Sequence, residues 1–316
     1  MVTLEELKQK CHNDLIDKLA RLEPLRRKVL FTDLLILILI VVPIVYVVAT
    51  LVSLGKNAPT AEVATPFILL AIMVTAAIII RYVTRFSRMM LHEQRQRLVM
   101  EAINPNWHFE AKNCISEQEY VNAELSEQKL IKYSGSDLVT GILDGVQFIG
   151  SKFIDVSKAY STKKYITTRG FLLTANVEKT VQGKIFIDIN IPNLMLGGLG
   201  ESILGRKSGQ RVTMGNSEFD KHFVVYATNQ DEAFRIVNQP IMDALLLFRK
   251  QSQYIYPVTF SFIGSKIYCA ITFGHDPLLF GSYSSVLKYK TLELWHSIFS
   301  MYENVIREFN LGSKNL

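Results

Sequence analysis

LLILILIVVPIVYVVATLVSL, Leu34 to Leu54, runs 21 residues without a charge, and its reading decides the architecture. At about 1.5 Å per helical residue the stretch matches a hydrocarbon core of about 30 Å. A second uncharged stretch of 18 residues, Val63 to Ile80, follows after a short connection. Two adjacent stretches of this length predict a transmembrane helical hairpin within residues 31–81, with spans 34–54 and 63–80. The chain is 49% hydrophobic with a positive mean hydropathy, which such a hairpin accounts for. A cleaved signal peptide is not expected, because a long charged and helix-patterned segment precedes the first span.

The net charge of +6 is unevenly spread over the 316 residues. Residues 1–100 hold 13 Lys/Arg against 8 Asp/Glu, whereas the remainder holds 22 against 21. The basic residues Arg26, Arg27 and Lys28 precede the first span, and Arg81, Arg85 and Arg88 follow the second. The loop GKNAPTAE, Gly55 to Glu62, carries Lys56 balanced by Glu62. Positive charge on both outer flanks places both termini in the cytoplasm, and those flanks are also positioned to touch anionic headgroups. With the rest of the chain near neutrality, a nucleic-acid partner is not indicated. Cys11, Cys114 and Cys269 are odd in number and form no CxxC pair, which suits a reducing compartment. The six histidines lack metal-ligand spacing, so neither a metal nor another cofactor is expected.

Residues 1–30 read as a cytoplasmic amphipathic helix, with Leu4, Leu7, Cys11, Leu15, Leu19 and Leu22 at helical spacing and a capping box of Thr3 with Glu6. Pro66 is expected in the first turn of the second span, and Pro43 lies inside the first. Residues 82–103 continue that second span as a juxtamembrane helix, giving a helical cytoplasmic stalk. From residue 104 to 316 the pattern is that of a cytoplasmic α+β domain, a mostly antiparallel sheet with flanking helices. A helix from Ser116 to about Ser126 comes first. Strands are expected over Leu138–Leu143, Val146–Val156, Tyr165–Val177, Lys184–Ile189 and Glu218–Thr228. Asn229 caps a helix that breaks near Pro240 and resumes to Phe248. Tyr256–Gly264 and Lys266–Phe273 read as a hairpin, and a last helix spans about Leu287–Phe309.

Gly198 to Gly209, GLGESILGRKSG, looks at first like a phosphate-binding loop. That loop needs its lysine directly after the last glycine, where the ammonium folds back over the phosphates, and a helix must follow. Here Arg206 stands in the lysine's place, Lys207 comes one residue late, and the sequence beyond reads as strand and turn. The stretch is therefore a long inter-strand loop, with Arg206 and Lys207 as candidate contacts to an acidic partner or headgroup. No GxSxG, HExxH or paired-carboxylate motif nominates catalytic residues.

The run EFDKHFVVYATNQDEAFRIVNQPIMDALLLF, Glu218 to Phe248, resembles a bacterial family known only as domain of unknown function 3137. A strand of the type E-F-x-x-x-F-x-V-Y leads into a helix containing Glu-Ala, then a proline and a methionine. Phe219, Phe223, Val225, Tyr226, Glu232, Ala233, Pro240 and Met242 fit that outline. The membrane hairpin, the Arg169-Gly170-Phe171 stretch and the glycine-rich loop are similar as well. The resemblance implies a bacterial inner-membrane protein with a cytoplasmic domain, and it brings no reaction and no active-site residues. The expected function is a membrane-anchored binding or scaffold module that recruits a protein partner. The alternatives are a membrane-surface hydrolase of a lipid-derived or phosphorylated substrate, and homo-oligomerisation through the spans, where Ala71 and Thr75 allow close helix approach.

Overall fold

The computed structural model describes residues 3–13, 15–53, 60–126, 128–158, 164–189, 209–251, 257–273 and 290–311. It is α+β and divides into two compact units, one built around Lys10–Val99 and the other around Met100–Leu279. Five helices open the chain: α1 (Leu4–Asn13), α2 (Leu15–Ala20), α3 (Glu23–Ser53), α4 (Thr60–Val83) and α5 (Arg85–Ile103). The capping box forms as the sequence predicts, Thr3 N–H donating to Glu6 at 3.0 Å and Glu6 N–H to Thr3 at 3.3 Å. The single helix expected over the first 30 residues is instead broken, and α3 starts at Glu23. Pro24 explains the restart, since proline suits the first turn of a helix and not its interior.

In the first unit α3 and α4 pack together as a hairpin. Ile36, Pro43 and Val47 of α3 and Ala77 of α4 are buried. Most of the remaining apolar surface points outward, with Val52, Ile68, Ile72 and Ile78 all well exposed. Only 17% and 6% of the two apolar stretches are buried by the protein itself. A fully exposed aliphatic side chain forgoes about 1.5–3 kcal/mol in water, and much of the apolar surface of these helices is left unburied by the protein. The hydroxyls on them are already satisfied: Thr50 donates to the Tyr46 carbonyl at 2.8 Å and Thr75 to that of Ala71 at 2.7 Å. Both helices are long and apolar enough to cross a bilayer. Pro66 corrects the sequence reading, for it sits inside α4 rather than in its first turn.

The second unit is a seven-stranded sheet in which every neighbouring pair is antiparallel. Its strands are β1 (His108–Glu110), β2 (Lys129–Leu143), β3 (Val146–Lys158), β4 (Tyr165–Ile189), β5 (Gln210–Val212), β6 (Phe223–Ala227) and β7 (Val258–Thr272). The long β4 organises them. One of its edges pairs first with β3 and then with β6, and β7 runs along the other. Among the described residues five helices flank the sheet: α6 (Glu117–Asn122), α7 (Ser217–His222), the pair α8 (Gln230–Ile236) and α9 (Gln239–Gln251), and α10 (Lys290–Leu311).

Alternation along the strands divides the side chains between two faces. On one face lies α10, whose Leu292, Trp295, Phe299, Tyr302, Ile306 and Phe309 recur at three- and four-residue steps and are all buried. Trp295 meets Phe171 edge-on at 4.6 Å, Phe299 meets Trp107 at 4.5 Å, and the Tyr302 hydroxyl donates to the Ile267 carbonyl at 2.6 Å. Aromatic pairs of this kind contribute about 0.5–1.5 kcal/mol each beyond their burial. The opposite face carries α6, with Tyr120, Ile115, Phe153, Leu172 and Ala270 as its apolar cluster.

Three strand expectations are corrected. Tyr165–Val177 and Lys184–Ile189 are one strand, because β7 pairs across the interval and the irregularity is absorbed as register shifts around Val181. The hairpin expected at Gly264 is likewise a single strand: Gly264 takes a positive φ of 58° opposite those shifts, which bends β7 without reversing it. Glu218–Thr228 begins as helix α7 and only then extends. The Asn216 side chain caps the Phe219 N–H at 3.1 Å, and Asp220 accepts from Met214 and Gly215. Two capped turns outweigh the local strand preference. The break at Pro240 is as expected, α8 ending at Ile236 and α9 opening under an Asn238 cap.

Candidate functional site

Between β1 and α6 the chain crosses the open face of the sheet and is fastened to it. Asp137 and Leu138 donate their N–H groups to the carbonyls of Ala111 and Asn113, both at 3.1 Å. The Ile115 N–H reaches the buried Ser151 hydroxyl at 3.0 Å, and the Tyr133 hydroxyl donates to the Ile115 carbonyl at 3.0 Å. Gly135 makes this close approach possible, since a Cβ there would lie 2.6 Å from that of Cys114 and 2.4 Å from the Lys152 carbonyl oxygen. Ser116 then caps α6, and Tyr120 donates to the buried Asp155 at 2.5 Å. Asp155 also accepts from Ser157 and from the Thr168 N–H. Under the same strands Asp137 pairs with Lys152 at 2.9 Å, both buried.

Beside this anchored segment lies a cleft of about 370 Å³. Alternate residues of adjacent strands line it: Leu138 and Thr140 from β2, Gln147 and Ile149 from β3, Thr174 and Asn176 from β4. Cys114, Ile115, Ser116 and Glu119 form one wall, and Lys266 of β7 closes the other side. Glu119 ties the walls together, accepting from Lys266 at 2.6 Å and from the Thr174 hydroxyl at 3.5 Å. The Lys266 ammonium also stands 5.9 Å from the ring centre of Tyr268. A second pair, Lys184 with Glu124 at 2.6 Å, holds the chain just beyond α6.

Burial keeps the thiol and phenol groups at and near the cleft in their neutral forms. Burial pushes the Cys114 thiol above its usual range, only partly offset by the Gly135 backbone hydrogen bond, so it stays a neutral thiol. Burial and then Glu119 raise the Tyr268 phenol, and burial likewise raises Tyr133. Glu119 is engaged by an ammonium. Thr140, Gln147 and Asn176 add neutral donors and acceptors around Leu138 and Ile149, the pattern of a pocket with an apolar floor and a few orienting polar groups.

Of the residues singled out from sequence, Arg206 and Lys207 lie outside the described residues. Arg26 pairs with Glu23 at 2.5 Å, and Arg27 approaches the same carboxylate at 3.7 Å. Arg88 binds Asp33 of α3 and the Thr84 hydroxyl, the latter at 3.1 Å. Lys28, Arg81 and Arg85 are exposed. His222 sits on α7, its ring 3.6 Å from Glu218 and its pKa lowered, mainly by burial. Ala71 and Thr75 are exposed on α4. The cleft residues were not picked out, because Glu119 and Lys266 stand 147 positions apart. The available signal was polar residues, Thr174 and Asn176, at one-face spacing in the otherwise apolar run Phe171–Val177.

The family residues quoted above acquire roles. Glu232 accepts from Arg235 at 2.5 and 2.7 Å and from the Gln182 N–H at 3.0 Å, joining α8 to the irregular part of β4. Ala233, Phe219 and Val225 are buried in the core. The resemblance itself is borne out: residues 167–311 match the family described as "Protein of unknown function (DUF3137)". Among solved structures, the crystal structure of the mycobacterial trehalose monomycolate transport factor A, TtfA, is similar at 9% identity with a TM-score of 0.36. That match covers 69% of this chain and 95% of the other, and at such a score it supports no statement about function. No curated protein matches the chain.

Proposed function

We propose that this chain, whose residues 167–311 match a family without an assigned activity, is a membrane-anchored binding module that recruits a protein partner to the bacterial inner membrane. In this reading α3 and α4 cross the bilayer, both termini lie in the cytoplasm, and the sheet unit presents its cleft there. The observation that carries it is the cleft: an apolar floor of Leu138 and Ile149 within a rim of Thr140, Gln147, Asn176 and the Glu119–Lys266 pair. Such a rim orients an extended polypeptide through its amides while the floor takes an apolar side chain. Arg206 and Lys207 add a basic contact in the same reading.

A photo-crosslinking residue in place of Gln147, in the full chain in native membranes, tests it. The expected result is one discrete protein adduct that disappears when Thr140→Trp fills the cleft. An adduct of equal yield with Thr140→Trp, or none at all, contradicts the reading.

A further inference from the structure

The basic residues flanking the hairpin are not equivalent. Two acids lie among them, Glu23 and Asp33, and each is already engaged, Glu23 by Arg26 with Arg27 nearby and Asp33 by Arg88. Among the described residues, no ion pair involves Lys28, Arg81 or Arg85, although all three are exposed. Cations without a partner at the end of an apolar helix need either water or an anion.

Their setting selects the anion. Backbone hydrogen bonds from Thr84 to Ile80 and from Arg88 to Thr84, at 3.0 and 3.2 Å, carry the helix across the α4–α5 junction. Arg81 and Arg85 therefore keep helical spacing, one turn and about 6 Å apart on one face. Tyr82 and Phe86 repeat the same step beside them and are 76% and 68% exposed, and Phe31 of α3 is 67% exposed. Exposed aromatics next to cations at the rim of an apolar hairpin suit the headgroup layer, where the rings sit at the interface and guanidiniums meet phosphate. A guanidinium binds phosphate oxygens in a forked geometry, and two spaced by one turn bracket a single phosphodiester.

We infer that Arg81 and Arg85, flanked by Tyr82 and Phe86, form a headgroup site for an anionic phospholipid at the cytoplasmic rim of the hairpin. The site rests on the membrane-anchored reading. Arg88 ties α5 to α3 through Asp33 and Arg26 is engaged by Glu23 of its own helix, and the unpaired cations take the lipid.

The test uses the full chain in nanodiscs of phosphatidylcholine containing phosphatidylglycerol, with bound lipid counted by native mass spectrometry. Each juxtamembrane cation is worth roughly fivefold in affinity for an anionic surface, so the pair gives about a 30-fold preference for phosphatidylglycerol. Arg81→Gln with Arg85→Gln is expected to remove that preference, and Arg97→Gln, whose residue pairs with Glu93 farther along α5, to leave it intact. Unchanged far-ultraviolet circular dichroism and an unchanged yield of loaded nanodiscs verify that the double variant is folded. Arg81→Lys with Arg85→Lys should retain part of the preference, through charge without the fork. Equal binding of the two lipids by the unmodified chain overturns the inference, as does a preference that survives the double glutamine change. Displacement of the lipid by millimolar inorganic phosphate assigns the site to a soluble phosphate and overturns it too. A chain that fails to insert into nanodiscs instead refutes the membrane-anchored reading, so the two failures are distinguishable.

Discussion

Removing the Glu232 carboxylate should uncouple α8 from β4. The side chain is 8% exposed and accepts three hydrogen bonds, two from Arg235 and one from the Gln182 N–H. Bonds to a charged group contribute about 1.5–3 kcal/mol when buried. Arg235 is 32% exposed, so water takes over much of its share after truncation. Gln182 is exposed, so water takes over part of its N–H bond too, and Glu232→Ala is expected to destabilise the sheet unit by about 1.5 kcal/mol. Glu232→Gln keeps an acceptor and should cost about half as much. Urea unfolding of the full chain in detergent, followed by tryptophan fluorescence, isolates this unit, because Trp107 and Trp295, the only two tryptophans, are both buried in it. Arg235 foremost, opposed by burial and helped by Gln182, holds the Glu232 carboxyl below the usual 4.5. A depressed folded pKa means that the stabilisation is full above the unfolded value and is lost as pH falls through the folded one. The gap between the unmodified chain and Glu232→Gln should therefore be constant from pH 7 to 5 and close below about pH 4. A loss under about 0.5 kcal/mol for Glu232→Ala, within the range of an ordinary surface change, refutes this role. So does a gap that widens on acidification.

Three further outcomes follow from the cleft. Gly135→Ala drives a methyl into Cys114 and the Lys152 carbonyl; it should cost about 1–3 kcal/mol in the same unfolding assay and speed alkylation of Cys114. In the unmodified chain, burial keeps Cys114 above the usual 9.0, so its iodoacetamide reaction at pH 8 should be slower than that of an unfolded cysteine; an equal rate contradicts that burial. Lys266→Glu sets two carboxylates at the Glu119 position and should cost about 1 kcal/mol, since both side chains are partly exposed at 34% and 22%. Adding Glu119→Lys should restore most of that loss, and absence of rescue argues against the pair.

The hairpin, the fold class and the helix caps were legible because each is written locally. Uncharged length gives the two long apolar helices, Thr3 with Glu6 closes its box, and Asn229 caps α8 three residues ahead of Glu232. What escaped was set by partners distant in sequence. Glycine and lysine near Val181 and Gly264 look like turns, yet β4 and β7 each provide a continuous partner for the other, and the strands run through. The α7 turn was hidden because Phe219 and Phe223 suit a strand, while its cap depends on the single side chain of Asn216. The cleft was least legible of all. It gathers residues from four strands, a loop and α6, with the Thr174–Asn176 spacing as its one local trace, and only the register brings Thr140 beside Ile149 and Thr174 under Glu119.

The anchoring proposal implies that the loop between the two spans and the cleft lie on opposite sides of one bilayer. Single cysteines at Lys56 and at Gln147, in a chain whose three native cysteines are replaced by alanine, test it with a membrane-impermeant maleimide on intact cells. With the outer membrane permeabilised, the Lys56→Cys chain should label at once, and the Gln147→Cys chain only after the inner membrane is opened. Labelling of both from the same side contradicts the account.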